Sequence, residues 1–129
     1  MKTVLFHHHG GPEVLEYTRF PTPEPGPGEV LIRLHAAALN RMDVMVREGW
    51  PGLNLELPHI NGADGAGDVV ALGEGASKFR PEDRVVINSN LGCGECQACR
   101  SGQDNPRSHS HLLHETANFS QAEFVNFPE

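Results

Sequence analysis

The chain has 129 residues, with 10 Lys and Arg against 17 Asp and Glu and a formal net charge of -7. That length suits one domain able to bury a core without disulfides. The acidic balance, unbroken by any Lys/Arg cluster, excludes the positive face that nucleic acid or an anionic membrane requires of a partner.

The first predicted elements are strands over residues 1–6 and 14–17, separated by His7-His8-His9-Gly10-Gly11-Pro12, a turn by its Gly-Gly-Pro punctuation. Next, PTPEPGPGEV (21–30) alternates proline with polar residues and glycine, so it is expected to be an extended loop with little backbone pairing. VLIRLHAAAL follows and suits a buried strand. Asn40 then predicts an N-cap for a helix running through Glu48, with Asp43 in a capping-box position and Gly49 as the stop. NGADGAGDVVALGEG carries glycine on both sides of Val69-Val70-Ala71-Leu72, which predicts a strand whose start is approached closely by other backbone. Residues 79–83 form a turn into a strand over 84–88, and the alternating tail over 121–127 can close a sheet. Many short strands with one or two short helices predict a mainly β barrel or sandwich.

No apolar run reaches the length of a signal-peptide core or a membrane span, so a cytoplasmic protein is expected. In that compartment three closely spaced cysteines favour metal over a disulfide framework. Cys93, Cys96 and Cys99 have the two-residue spacing of a zinc-binding knuckle, with no fourth cysteine after them.

Taken in order and spacing, GGPEVLEY, PTPEPGPGEVLIRLHAAALNRMDV, NGADGAGDVVALGEG, FRPEDRVVI and CGECQACRSGQDN resemble the N-terminal GroES-like domain of medium-chain dehydrogenases/reductases. The resemblance is to the zinc-type alcohol dehydrogenase and quinone oxidoreductase branches. It implies a GroES-like β-barrel over 1–129 with a protruding cysteine lobe, forming the substrate side of an enzyme. Such enzymes transfer a hydride between NAD(P)H and a carbonyl or activated double bond of a small-molecule substrate, with the coenzyme held by a separate Rossmann domain. That second domain is expected to be absent, since the chain ends at Glu129. Gly73-Glu74-Gly75 opens a dinucleotide fingerprint but Lys78 stands at its third position. The chain alone is therefore expected to bind no NAD(P)H and to be inactive.

The resemblance also assigns residues. Where zinc-dependent relatives carry a cysteine this chain has Asn40, and where they carry Gly-His-Glu it has Gly62-Ala63-Asp64, so no catalytic zinc is expected. Asn40 with Asp43 matches the Asn-x-x-Asp of quinone-reductase-like members, which work without catalytic metal, and Met42 replaces the hydroxyl of a proton relay. Asn40, Asp43 and Asp64 are thus candidate cleft residues. Asn40 and Asp43 have plainer readings, as a helix cap and as a charge at a helix N-terminus, and Asp64 reads equally as a buried acid at the cleft or a turn residue. Arg41 aligns with a residue that touches cofactor phosphate, against a solvated surface arginine as the alternative. His35 and His59 read as structural or exposed, and His7-His8-His9 as an adventitious metal binder.

In the lobe, the family's structural zinc pattern C-x2-C-x2-C-x7-C is met by Cys93, Cys96 and Cys99, while Arg107 occupies the fourth place and cannot donate a lone pair. His109 is the nearest candidate to complete a Cys3His set, with His111 and His114 beyond it; a metal-free loop of reduced thiols is the alternative. Two functions stay open: an oxidoreductase-family substrate domain, or a non-enzymatic GroES-like scaffold or zinc-binding module. An uncovered cleft wall would also favour a homo-oligomer formed through it.

Overall fold

In the computed structural model the described residues are 1–88, 90–91, 97–101, 111–112 and 118–129. Strands β1 (Lys2–Leu5) and β2 (Glu16–Arg19) form an antiparallel hairpin. The main sheet has β3 (Glu29–Ala38) at its centre, flanked by β4 (Asp64–Leu72) and β8 (Phe124–Pro128), with β5 (Arg84–Val86) on the far side of β4. A short antiparallel pair joins β6 (Asn90–Leu91) to β7 (His111–Leu112). The helices are α1 (Arg41–Glu48) and the one-turn α2 (Gln97–Arg100). Among the described residues, no helix is long and apolar enough to cross a membrane.

The predicted tail strand joins the two sheets. Its C-terminal part, β8, pairs with β3 from Glu29↔Pro128 to Arg33↔Phe124. Just before it, Val4 N–H donates to the Gln121 carbonyl at 2.9 Å and Glu123 N–H donates to the Lys2 carbonyl at 3.1 Å. One segment therefore serves both sheets and gives the mainly β architecture its closure.

Alternation along β3 sends Val30 and Ile32 inward, where they meet Val69, Ile87, Phe119 and Val125 in the buried core. From His35 to Leu39 the same segment is exposed, so VLIRLHAAAL is a buried strand only in its first half. The change follows from pairing: β8 covers β3 as far as Arg33, Leu34 N–H makes one more bond to the Glu123 carbonyl at 2.9 Å, and from Ala36 on β3 pairs with β4 alone.

The glycine-rich stretch before Val69 is itself strand, and β4 starts at Asp64 rather than Val69. Glycine belongs there because β3 passes too close for a side chain: a Cβ on Gly67 would overlap the Arg33 carbonyl oxygen, and one on Gly65 would lie 2.9 Å from Leu34 Cδ2. The other departure is near the N-terminus, where Pro12–Val14 is a short 3₁₀ helix and the strand starts at Glu16 instead of Val14. Pro12 sits in the first turn of that helix, where its fixed φ and missing N–H are tolerated.

Gly67→Ala is expected to destabilise the domain by about 1–3 kcal/mol, the usual cost of overpacking a close contact. Chemical denaturation measures it, and an unchanged midpoint would contradict the close approach of β3 and β4.

Candidate functional site

The candidate cleft residues gather where β3 ends, α1 begins and β4 starts. Asn40 is the N-cap of α1 in extended backbone, and its N–H donates to Asp43 Oδ2 at 2.7 Å within a capping box. Its side chain also turns to the neighbouring strand, where Nδ2 donates to Asp64 Oδ2 at 2.7 Å. The register makes this contact available, because Ala38, two residues before Asn40, pairs with Asp64. Asn40 is thus a helix cap whose side-chain amide also ties the start of α1 to the start of β4.

Asp43 behaves differently. It is 4% exposed, and besides the cap its backbone carbonyl accepts a 3.0 Å bond from the buried Asn61 Nδ2. It fastens the start of α1 to the segment leading into β4. Asp64 is neither a buried acid nor a turn residue: it is exposed and is the first residue of β4. Strand pairing with Ala38 removes the turn, and the position at the sheet's end leaves the carboxylate open to solvent. Arg41 is exposed and makes no hydrogen bond or ion pair among the described residues.

The far end of α1 carries an arrangement that sequence reading missed. His9 Nδ1 lies 3.1 Å from the Val46 carbonyl and 3.2 Å from that of Arg47, while Gly10 N–H donates to the Arg47 carbonyl at 3.1 Å. Arg47, 8% exposed, returns a bond from Nε to the Gly10 carbonyl at 3.0 Å. His9 and Gly10 therefore satisfy carbonyls that a helix C-terminus leaves open. Of the triplet, His9 is a helix-end partner, while His7 faces Glu16 at 3.6 Å in the open. The signal available in the sequence was a histidine beside glycine, but the helix it meets lies nearly forty residues away. His59 is structural as expected: it is 2% exposed, exchanges backbone bonds with Phe6 at 3.0 and 2.9 Å, and meets the Phe6 ring edge-on at 5.5 Å.

Next to Asp64 runs an open groove of about 370 Å³, lined by Ala36, Ala37, Ala38, Gly65, Ala66 and Val86 with Ile87 behind them. Val86 in its lining is 83% exposed. Further along the sheet, His35 Nε2 lies 2.6 Å from Asp68 Oδ2, with Arg33 NH2 at 3.4 Å from the same oxygen. The hydrogen bond from His35, aided less strongly by Arg33, holds the Asp68 carboxyl below its ordinary value of 3.8 against a smaller opposing effect of desolvation. His35 is thus exposed and hydrogen-bonded to Asp68, a surface arrangement that ordinarily adds little to stability.

Cys93, Cys96, His109, Arg107 and His114 lie outside the described residues, and Cys99 and His111 are described only as backbone within α2 and β7.

A mainly β domain with this helix at the mouth of its sheet defines the class, and comparison defines the family. Residues 26–129 match the alcohol dehydrogenase GroES-like domain, and the chain belongs to that family. It is 36% identical over 110 residues to an alcohol dehydrogenase of Schizosaccharomyces pombe, covering 84% of this chain and 31% of that protein. It is 44% identical over 88 residues to a quinone oxidoreductase of Pseudomonas aeruginosa, covering 66% of this chain and 26% of that one. In structure it superposes with a TM-score of 0.92 and 50% identity on an NAD-dependent alcohol dehydrogenase, over 100% of this chain and 38% of the other. A thermostable alcohol dehydrogenase from Pyrobaculum aerophilum gives a TM-score of 0.88 at 32% identity, over 99% of this chain and 38% of that one. The chain therefore spans about a third of the length of such relatives.

Proposed function

We propose that this chain is the substrate-side wall of the cleft of an NAD(P)H-dependent oxidoreductase of the alcohol dehydrogenase and quinone oxidoreductase type. In this role it acts together with a coenzyme-binding domain and without a catalytic metal. The observation that carries the reading is the Asn40 Nδ2 to Asp64 Oδ2 hydrogen bond at the edge of the apolar groove. By the sequence resemblance, Asn40, Ala63 and Asp64 stand where zinc-dependent relatives carry ligand residues, and the donors present do not suit a metal. Zinc prefers thiolate, imidazole and carboxylate, and a catalytic site needs three protein ligands. Here the Asn40 side chain, a neutral amide, spends its N–H on the Asp64 carboxylate, the Asp43 carboxylate is taken up by the helix cap, and Ala63 is buried and offers no donor atom.

Without a metal, the tasks left to this wall are holding and orienting. The open, alanine-lined groove offers apolar contact area to a substrate, while Asn40 and Asp64 present one amide and one carboxylate at its edge. Asp43 keeps the Asn40 backbone in place through the cap, so it is a positioning residue. The hydride would come from a nicotinamide bound to the coenzyme domain, and Arg41, exposed at the start of α1, is free to meet a cofactor phosphate.

The test is NAD(P)H oxidation by this domain fused to a family coenzyme-binding domain, with quinone or carbonyl acceptors. Asn40→Ala in the fusion is expected to lower kcat/KM about tenfold, the equivalent of about 1.4 kcal/mol of transition-state stabilisation. In the fusion carrying Cys96→Ser, whose lobe is expected to hold no structural zinc, a chelator is expected to leave the rate unchanged. Activity that needs added zinc, or is indifferent to Asn40, would contradict the proposal.

The cysteine lobe receives a separate role. Three thiols with His109 supply a donor set suited to tetrahedral structural zinc, which would stabilise a loop and take no part in the chemistry. Protein purified without a nickel column is expected to hold about one zinc per chain by elemental analysis, since closed structural sites bind metal tightly. Cys96→Ser is expected to lose it. Equal, sub-stoichiometric zinc in both proteins would favour the metal-free loop of reduced thiols.

A further inference from the structure

We propose that Asp64 makes the adjoining groove selective for amphipathic cations, ligands with an apolar body and a primary ammonium head. This rests on reading the groove as a ligand-contacting cleft, and adds to it the charge of the ligand. Asp64 is the one charged side chain in the groove's lining, and the other lining residues are alanine, glycine, valine and isoleucine. Asn40 fixes the carboxylate by holding Oδ2 at 2.7 Å. Oδ1 has no partner among the described residues, and the side chain is exposed. The groove thus offers an apolar floor with a single oriented, negatively charged acceptor at its edge.

Three head groups can be weighed against that arrangement. A carboxylate would meet like charge with no cation in the lining to offset it. A hydroxyl can donate to Oδ1, but water does so equally well at an exposed site, which leaves only the apolar contact as net gain. An ammonium donates a charge-assisted bond, about twice as strong as a neutral one, and keeps its Coulomb attraction where water competes. The alkyl or aryl body would then lie on Ala36, Ala37 and Val86.

The probes are n-hexylammonium, n-hexanol and n-hexanoate, titrated separately into isotope-labelled protein at constant ionic strength. The Ala36, Ala37 and Ala38 methyl signals and the Asn40 side-chain amide report occupancy. Hexylammonium is expected to bind with a Kd about fivefold below that of hexanol, a modest gain suited to an exposed charge, and hexanoate to produce no saturable shift. Asp64→Asn is expected to bring the amine to the level of the alcohol, and Asp64→Glu to retain the preference; preserved spectral dispersion shows that each variant is folded. Glu74→Gln removes one charge from an exposed residue elsewhere and is expected to change nothing. If amine and alcohol bind alike, or if Glu74→Gln weakens the amine as much as Asp64→Asn does, the selectivity is overturned while the cleft reading stands. If no probe moves the three alanine signals, both fall.

Discussion

The pairing of β3 with β4 is the constraint from which the rest of the domain follows. β3 is the central strand, and only backbone contact as close as Gly67 permits lets β4 run alongside it to the end of the sheet. Because side chains alternate across a strand, a slip of one residue would exchange the inward Val69 for its outward neighbours and empty the core. The same register sets Asp64 opposite Ala38, so the strand's first residue arrives beside the residue that starts the helix. Core and proposed cleft are thereby fixed by one ladder.

Helix α1 is held at both ends rather than along one face alone. At its N-terminus the Asn40 and Asp43 cap is joined to the chain entering β4 through Asn61. At its C-terminus the Val46 and Arg47 carbonyls and the buried Arg47 side chain exchange hydrogen bonds with His9 and Gly10 of the loop after β1. A helix of two turns has little stability of its own. Its anchorage to two distant parts of the chain converts it into a fixed platform, which is what an amide that must point at one carboxylate needs.

Local grammar made much of this readable in the sequence. Asn40, Asp43 and Gly49 announced both ends of α1, because capping chemistry acts within a few residues. The proline-rich loop and the closing strand were equally visible in periodicity and punctuation. What escaped depended on partners far along the chain. The Asp-Gly-Ala-Gly stretch over 64–67 looks like a loop by composition, and it is strand because β3 leaves no room for larger residues at Gly65 and Gly67. The exposed half of β3 looks buried by hydrophobicity, and it is open because β8 stops at Arg33. Asp64 could be placed at the cleft by family resemblance, but its exposure and its bond to Asn40 needed the register of two strands.

The central claim is that Asn40 and Asp64 form one unit at the edge of the groove. A double-mutant cycle of Asn40→Ala and Asp64→Ala, read by chemical denaturation, tests it directly, because the cycle cancels the loss of the helix cap from the pair's own coupling. The account predicts a coupling of about 0.5–1 kcal/mol, as suits a charge-assisted bond at an exposed site. Strictly additive effects would contradict it.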